Sequence, residues 1–88
     1  MPDFDERAGL AGSQLVTLFG WTEQEFMLHT EGSPIRRIGH ERWLRNIAVA
    51  LGNALRAGAD EQLRDALAAR AQHPSALVRE HVLWALAA

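Results

Sequence analysis

Four guanidinium groups fall within ten residues of this chain: Arg36, Arg37, Arg42 and Arg45. Arginine is planar and always charged, grips phosphate bidentately and stacks on bases. A cluster of this kind therefore offers the chemistry of polyanion recognition. Ser33-Pro34, a capping hydroxyl followed by proline at the first helical position, starts a short helix just ahead of the pair. Backbone amides at such a start add anion contacts. Arginine near a helix start also works against the helix dipole, which prefers acids there, so Arg36 and Arg37 point to a role other than helix stability. Two other readings fit the same spacing. The arginines can pair with Glu31, Glu41 and the acidic first third of the chain, or they can line a protein interface.

The charge is distributed unevenly although the net charge is only −2. Residues 1–32 hold six acids (Asp3, Asp5, Glu6, Glu23, Glu25, Glu31) and one arginine, whereas residues 33–58 hold five arginines and one acid, Glu41. All nine basic residues are arginine, a bias that a GC-rich genome produces equally well.

Little else in the chain suggests chemistry. His29, His40, His73 and His81 are scattered without an i,i+4 pair or an HExxH spacing, and read as solvent-facing or turn residues. There is no GxSxG, P-loop or GxGxxG. Asp60, Glu61 and Asp65 are spaced for a solvated helix face, with the first two at the helix end that favours acids. Trp43 has a core spacing; Trp84 stands off the main apolar stripe, where an interface is the natural place for it. No cysteine is present among the 88 residues, which removes disulfides and thiolate ligands for zinc or an iron–sulfur cluster. No catalytic, cofactor-binding or metal-binding residue emerges. The longest apolar run, Ile47 to Leu51, is far short of the roughly 20 residues of a membrane span. No signal-peptide pattern opens the chain, and a cytoplasmic location fits.

The elements that must position the arginines are helical. The composition is 48% hydrophobic, without tyrosine and rich in alanine and leucine, residues that favour helix. Residues 1–12 lack periodicity and read as a linker or arm; residues 13–88 form the helical domain. Ser13 caps a short helix that ends at Gly20. Thr22 with Glu25 makes a capping box, and Trp21 can staple onto Phe26. Gly32 ends that helix. Ile35 to Ile38 makes one turn, and Gly39 permits a bend. From Glu41 to Leu51, Trp43, Leu44, Ile47, Ala48 and Leu51 share one face, while Arg42, Arg45 and Asn46 share another. Gly52-Asn53 reads as a stop, followed by a loop over 54–59. Asp60 caps a helix with Leu63, Ala66, Leu67 and Ala71 inward. His73-Pro74-Ser75 breaks it and starts the last helix, with Leu77, Val78, Val82, Ala85 and Leu86 inward. A shift of 35 aligns Trp43 with Val78, Ile47 with Val82, Ala50 with Ala85 and Leu51 with Leu86. A repeat of that length suggests a HEAT-like stack, whose open end wants a neighbour. The predicted fold is all-α, a HEAT-like bundle of about five helices.

The segment EGSPIRRIGHERWLRNIAVALGN, preceded by LFGWTEQEF and HTEG, resembles the C-terminal region of epoxyqueuosine reductases, and HPSALVREHVLWALA resembles that family's closing helix. The likeness covers residues 3–88. It implies the tail of an oxidoreductase that reduces epoxyqueuosine to queuosine in tRNA, using cobalamin and two 4Fe-4S clusters bound upstream. Such a tail helps hold the tRNA anticodon stem-loop and packs on the catalytic and ferredoxin-like domains. Carried onto this sequence, the implied contacts are Arg36, Arg37, Arg42 and Arg45, with Asn46 and Asn53 as polar support. The alternative is a HEAT-like protein-interaction module without an RNA role.

Overall fold

The computed structural model describes residues 12–58 and 60–87. Among them every regular element is helical: α1 (Gly12–Phe19), α2 (Glu23–His29), a 3-10 helix (Pro34–Ile38), α3 (Gly39–Ala57), α4 (Glu61–Ala68) and α5 (Ala76–Leu86). Apart from Gly12, the linker reading of residues 1–12 lies outside the described residues.

The starts of α2, α4 and α5 follow local sequence, whereas α3 begins at Gly39 without a side-chain cap. Thr22 and Glu25 form the full capping box of α2. That bond to the Thr22 amide holds the exposed Glu25 carboxyl below the usual carboxylate range. Asp60 accepts from Gln62 N and Leu63 N at the start of α4. Ser75 Oγ accepts from Val78 N at the start of α5. Trp21 stacks on His29 and Trp43, at 4.4 and 5.6 Å between ring centroids. Trp43 in turn meets Phe26 at 5.3 Å, so the aromatic side chains around the start of α2 are anchored on α3.

The helix α3 is the hub: it contacts α1, α2, α4, α5 and the 3-10 helix, and packs most extensively on α5. Trp43, Leu44, Ile47, Ala48, Ala50, Leu51, Gly52 and Leu55 are all buried along it. Around them close Leu15 and Phe19 of α1, Phe26 of α2, Leu63 and Leu67 of α4, and Val78, Val82 and Ala85 of α5. The sequence expectation of a stop at Gly52-Asn53 and a loop over 54–59 is corrected here, because α3 runs on to Ala57 and Gly58 ends it. Gly52 is glycine for a different reason. A Cβ on it would lie 3.0 Å from the Cα and Cβ of Ala85. It lets α3 and α5 approach closely instead of turning the chain. Left-handed backbone occurs at Gly39 (φ 83°), where the 3-10 helix gives way to the first residue of α3. Leu77 and Leu86 are half-buried rather than core.

Candidate functional site

At the 3.6-residue repeat of a helix, positions 42, 45, 46, 49, 53 and 56 recur on one side of α3. Burial agrees. Arg42, Asn53 and Arg56 are exposed, and Arg45, Asn46 and Val49 are half-buried, while the residues between them form the core. The stripe therefore joins Arg42, Arg45, Asn46 and Asn53, and adds Arg56. Arg45 Nε donates to Asn46 Oδ1 at 2.7 Å, which leaves the amide nitrogen as a donor. Arg36 and Arg37 are exposed on the 3-10 helix ahead of α3. Among the described residues no carboxylate pairs with Arg36, Arg37 or Arg42. Glu41 instead accepts a short hydrogen bond from Ser75 Oγ.

Two of the sequence arguments about this segment change. The amides at the 3-10 helix start are occupied: Ile35 N donates to Ser33 Oγ at 3.3 Å and Arg36 N to Ser33 O at 3.2 Å. They are not an open anion nest. The helix is also only five residues long, so Arg36 and Arg37 sit in its last turn, where its dipole favours cations. Any function of the pair must rest on the exposed guanidinium groups alone.

Among the described residues, Arg56, Arg64, Arg70 and Arg79 bond backbone carbonyls, a pattern without a local sequence signal. Arg70 donates from Nε to Phe19 O at 2.8 Å and from Nη2 to Trp21 O at 3.0 Å. Its guanidinium also lies 5.6 Å from the Phe19 ring centroid. Burial pulls the Arg70 pKa below its usual value. Trp43 Nε1 donates to Leu18 O at 3.3 Å, and His40 Nε2 donates to Trp21 O at 2.8 Å. Together these side chains bond the carbonyls of Leu18 and Phe19 in the last turn of α1 and that of Trp21 just beyond it. At the end of α5, Arg56 Nη2 donates to Trp84 O at 3.3 Å and Arg64 Nη1 to Leu86 O at 3.2 Å. Arg79 Nη1 donates to His73 O and Pro74 O at 2.7 and 2.9 Å.

Of the histidines read as solvent-facing or turn residues, His29 is exposed and His73 lies in the segment between α4 and α5. His40, His73 and His81 are half-buried and hydrogen-bonded to backbone; His29 is exposed and stacked on Trp21. His73 Nδ1 accepts from Ser75 N at 3.0 Å. Desolvation first, then the charges of Arg70 and His40, push the His73 pKa down, which matches an unprotonated Nδ1. His40, Glu41, Arg70, His73 and Ser75 line an open cleft of about 610 Å³. Its polar groups are largely committed to one another or to backbone.

An iron–sulfur cluster does not fit this donor set, because the chain contains no cysteine thiolate. Among the described residues, no three His, Asp or Glu side chains gather as a ligand set, and no helix is long and apolar enough to cross a membrane.

Comparison with known proteins gives a consistent set of relatives. The chain is 68% identical over 91 residues to the epoxyqueuosine reductase of Alicycliphilus denitrificans, covering 99% of this chain and 25% of that protein. It is 55% identical over 84 residues to the epoxyqueuosine reductase of Pseudomonas aeruginosa, covering 96% and 22%. It is 54% identical over 86 residues to that of Escherichia coli, covering 97% and 21%. The chain thus spans a quarter or less of the length of these curated relatives. No protein-family model and no solved structure matches it.

Proposed function

From the chain's homology, along nearly its whole length, to the C-terminal region of epoxyqueuosine reductases, we propose that it is the non-catalytic helical domain of such a tRNA-modifying enzyme. Its task is to dock the tRNA anticodon stem-loop and to pack on the catalytic and ferredoxin-like domains, in the bacterial cytoplasm. Cobalamin and 4Fe-4S chemistry belongs to residues outside this chain, which supplies no thiolate. The pairing of α3 with α5, whose equivalent residues Trp43 and Val78, Ile47 and Val82, Ala50 and Ala85 are all buried, supports a HEAT-like architecture.

The observation that carries the docking role is the exposure of Arg36, Arg37 and Arg42 without carboxylate partners among the described residues. Four other arginines of the same chain are engaged with backbone carbonyls. Arg45, Asn46 and Asn53 extend the surface along α3. The test is binding of an anticodon stem-loop RNA as a function of salt, for the parent chain and for Arg36→Ala/Arg37→Ala. Each lost phosphate contact should reduce the slope of log affinity against log salt by about 0.7–0.9. A protein-interaction module without an RNA role is favoured by exposed apolar side chains, Leu28 at 68% and Leu83 at 59%. Absence of any RNA binding at low salt selects it.

A further inference from the structure

The stripe on α3 ends against an aromatic ring. Arg56 places its guanidinium carbon 3.9 Å from the centroid of Trp84 while donating to the Trp84 carbonyl. Trp84 nevertheless remains 42% exposed, in contrast to Trp43 at 2%. The reason is its position on α5. Val78, Val82 and Ala85 take the buried face, and residue 84 falls at its margin. There the ring crosses the side-chain-free surface of Gly52, where an added Cβ would come 2.7 Å from Trp84 Cζ3. The indole is thus held by Gly52 at one edge and by Arg56 against one face. It also lines an open cavity of about 350 Å³ with Val49, Glu80 and His81. His81 is fixed by a 2.8 Å bond from Nδ1 to Leu77 O; Glu80 is the one acid in this lining.

Building on the RNA-docking reading, we propose that this Trp84 pocket receives an unstacked base of single-stranded RNA whose backbone follows the arginine stripe of α3. An exposed, pre-oriented aromatic ring beside a cationic groove is how single strands are bound, because every base has a π-face and stacking needs no particular sequence. The supporting charge is in line with the ring: from Arg42 through Arg45, Asn46 and Asn53 to Arg56 the stripe extends about 21 Å at 1.5 Å per residue. The cavity lies at the small end of ligand pockets, a size suited to a planar heterocycle. His81 Nε2 and the Glu80 carboxylate are acceptors that a base amino group can meet. An apolar peptide side chain would gain nothing from the row of cations leading to the ring.

Fluorescence anisotropy of the chain with two labelled RNAs, an anticodon stem-loop and a blunt duplex of equal charge, separates stacking from docking. Trp84→Leu keeps an apolar side chain but removes the π-face, and Trp84→Phe keeps a ring. Trp84→Leu should weaken the stem-loop about 5- to 150-fold, the range for loss of one stacked base. It should leave duplex affinity and the salt slope unchanged, and Trp84→Phe should retain most of the affinity. Circular dichroism melting confirms that each variant is folded, and Trp84→Phe with Arg56→Met serves as a second set if Trp84→Leu does not fold. There, Arg56→Met should weaken both RNAs and Trp84→Phe neither by more than a few-fold. Equal stem-loop affinity for Trp84→Leu and parent, or parallel loss on both RNAs, overturns the stacking site while leaving docking in place. If the parent binds neither RNA at low salt, the docking reading itself falls, and the base pocket with it.

Discussion

Arg36, Arg37 and Arg42 differ from Arg56, Arg64, Arg70 and Arg79 in what their guanidinium groups meet. The second group reaches carbonyls at or near the ends of α1 and α5 and in the turn before α5. The first group projects into solvent, on and just ahead of the longest helix. An orphan carbonyl at a helix C-terminus carries partial negative charge, so a cation from a neighbouring element both satisfies and neutralises it. Residue type alone therefore does not separate a structural arginine from a binding one in this chain. The separation is made by whether a backbone carbonyl lies within reach, and Arg56, which bonds the Trp84 carbonyl and also ends the stripe on α3, belongs to both groups.

Mutations should break the two groups apart. The largest effect is expected for Arg70→Ala, which removes two charge-assisted bonds from a half-buried position and leaves the Phe19 carbonyl without its donor, while Trp21 O keeps His40. A loss of about 2–3 kcal/mol follows, read as a fall in melting temperature of roughly 10–20 °C. Unchanged urea unfolding of this variant would show that the end of α1 needs no arginine. Gly52→Ala comes next. Crowding against Ala85 and Trp84 costs about 1–3 kcal/mol, and the gain in helix propensity returns at most about 1 kcal/mol. A more stable variant in thermal melts would contradict the close approach of α3 and α5.

Thr22→Ala should cost about 1 kcal/mol through the lost capping box, with Thr22→Ser restoring most of it in the same melts. A smaller effect is expected from pH. The His73 pKa is lowered in the folded protein, so the unfolded chain binds the proton first. Stability should be full above the unfolded pKa of about 6.5 and decline as pH falls through that value toward the folded one. His73→Gln should flatten this part of a pH–stability curve. The smallest effect on stability belongs to Arg36→Ala/Arg37→Ala, within about 0.5 kcal/mol of the parent. A large destabilisation there would move these two residues into the structural group and erase the distinction.

Which parts of this were readable beforehand depends on the range of the interaction. Thr22, Ser33, Asp60 and Ser75 cap helices whose amides lie two or three residues away, so their roles stand in the local sequence. The apolar spacing of α3 likewise shows which face is buried and leaves Arg42, Arg45 and Asn46 on the other. Arg70 carries no such signal, because its partners lie 51 and 49 residues away. Gly52 misleads for the same reason. A glycine-asparagine pair has the local form of a helix stop, and only the presence of α5 against it explains an uninterrupted helix. Trp84 could be set apart as off the apolar stripe, but its pairing with Arg56 joins positions 28 residues apart.

The sequence by itself determined an all-helical chain, where most of its helices begin, which side of α3 is buried, and that no thiolate chemistry is available. These follow from propensity, periodicity and side chains bonding to amides of their own turn. Tertiary structure decided where α3 ends, which arginines are committed and which remain open, and why Trp84 stands at the surface. Those outcomes depend on carbonyls and backbone brought close by packing, and an arginine or glycine has no means of encoding locally which distant segment will arrive beside it.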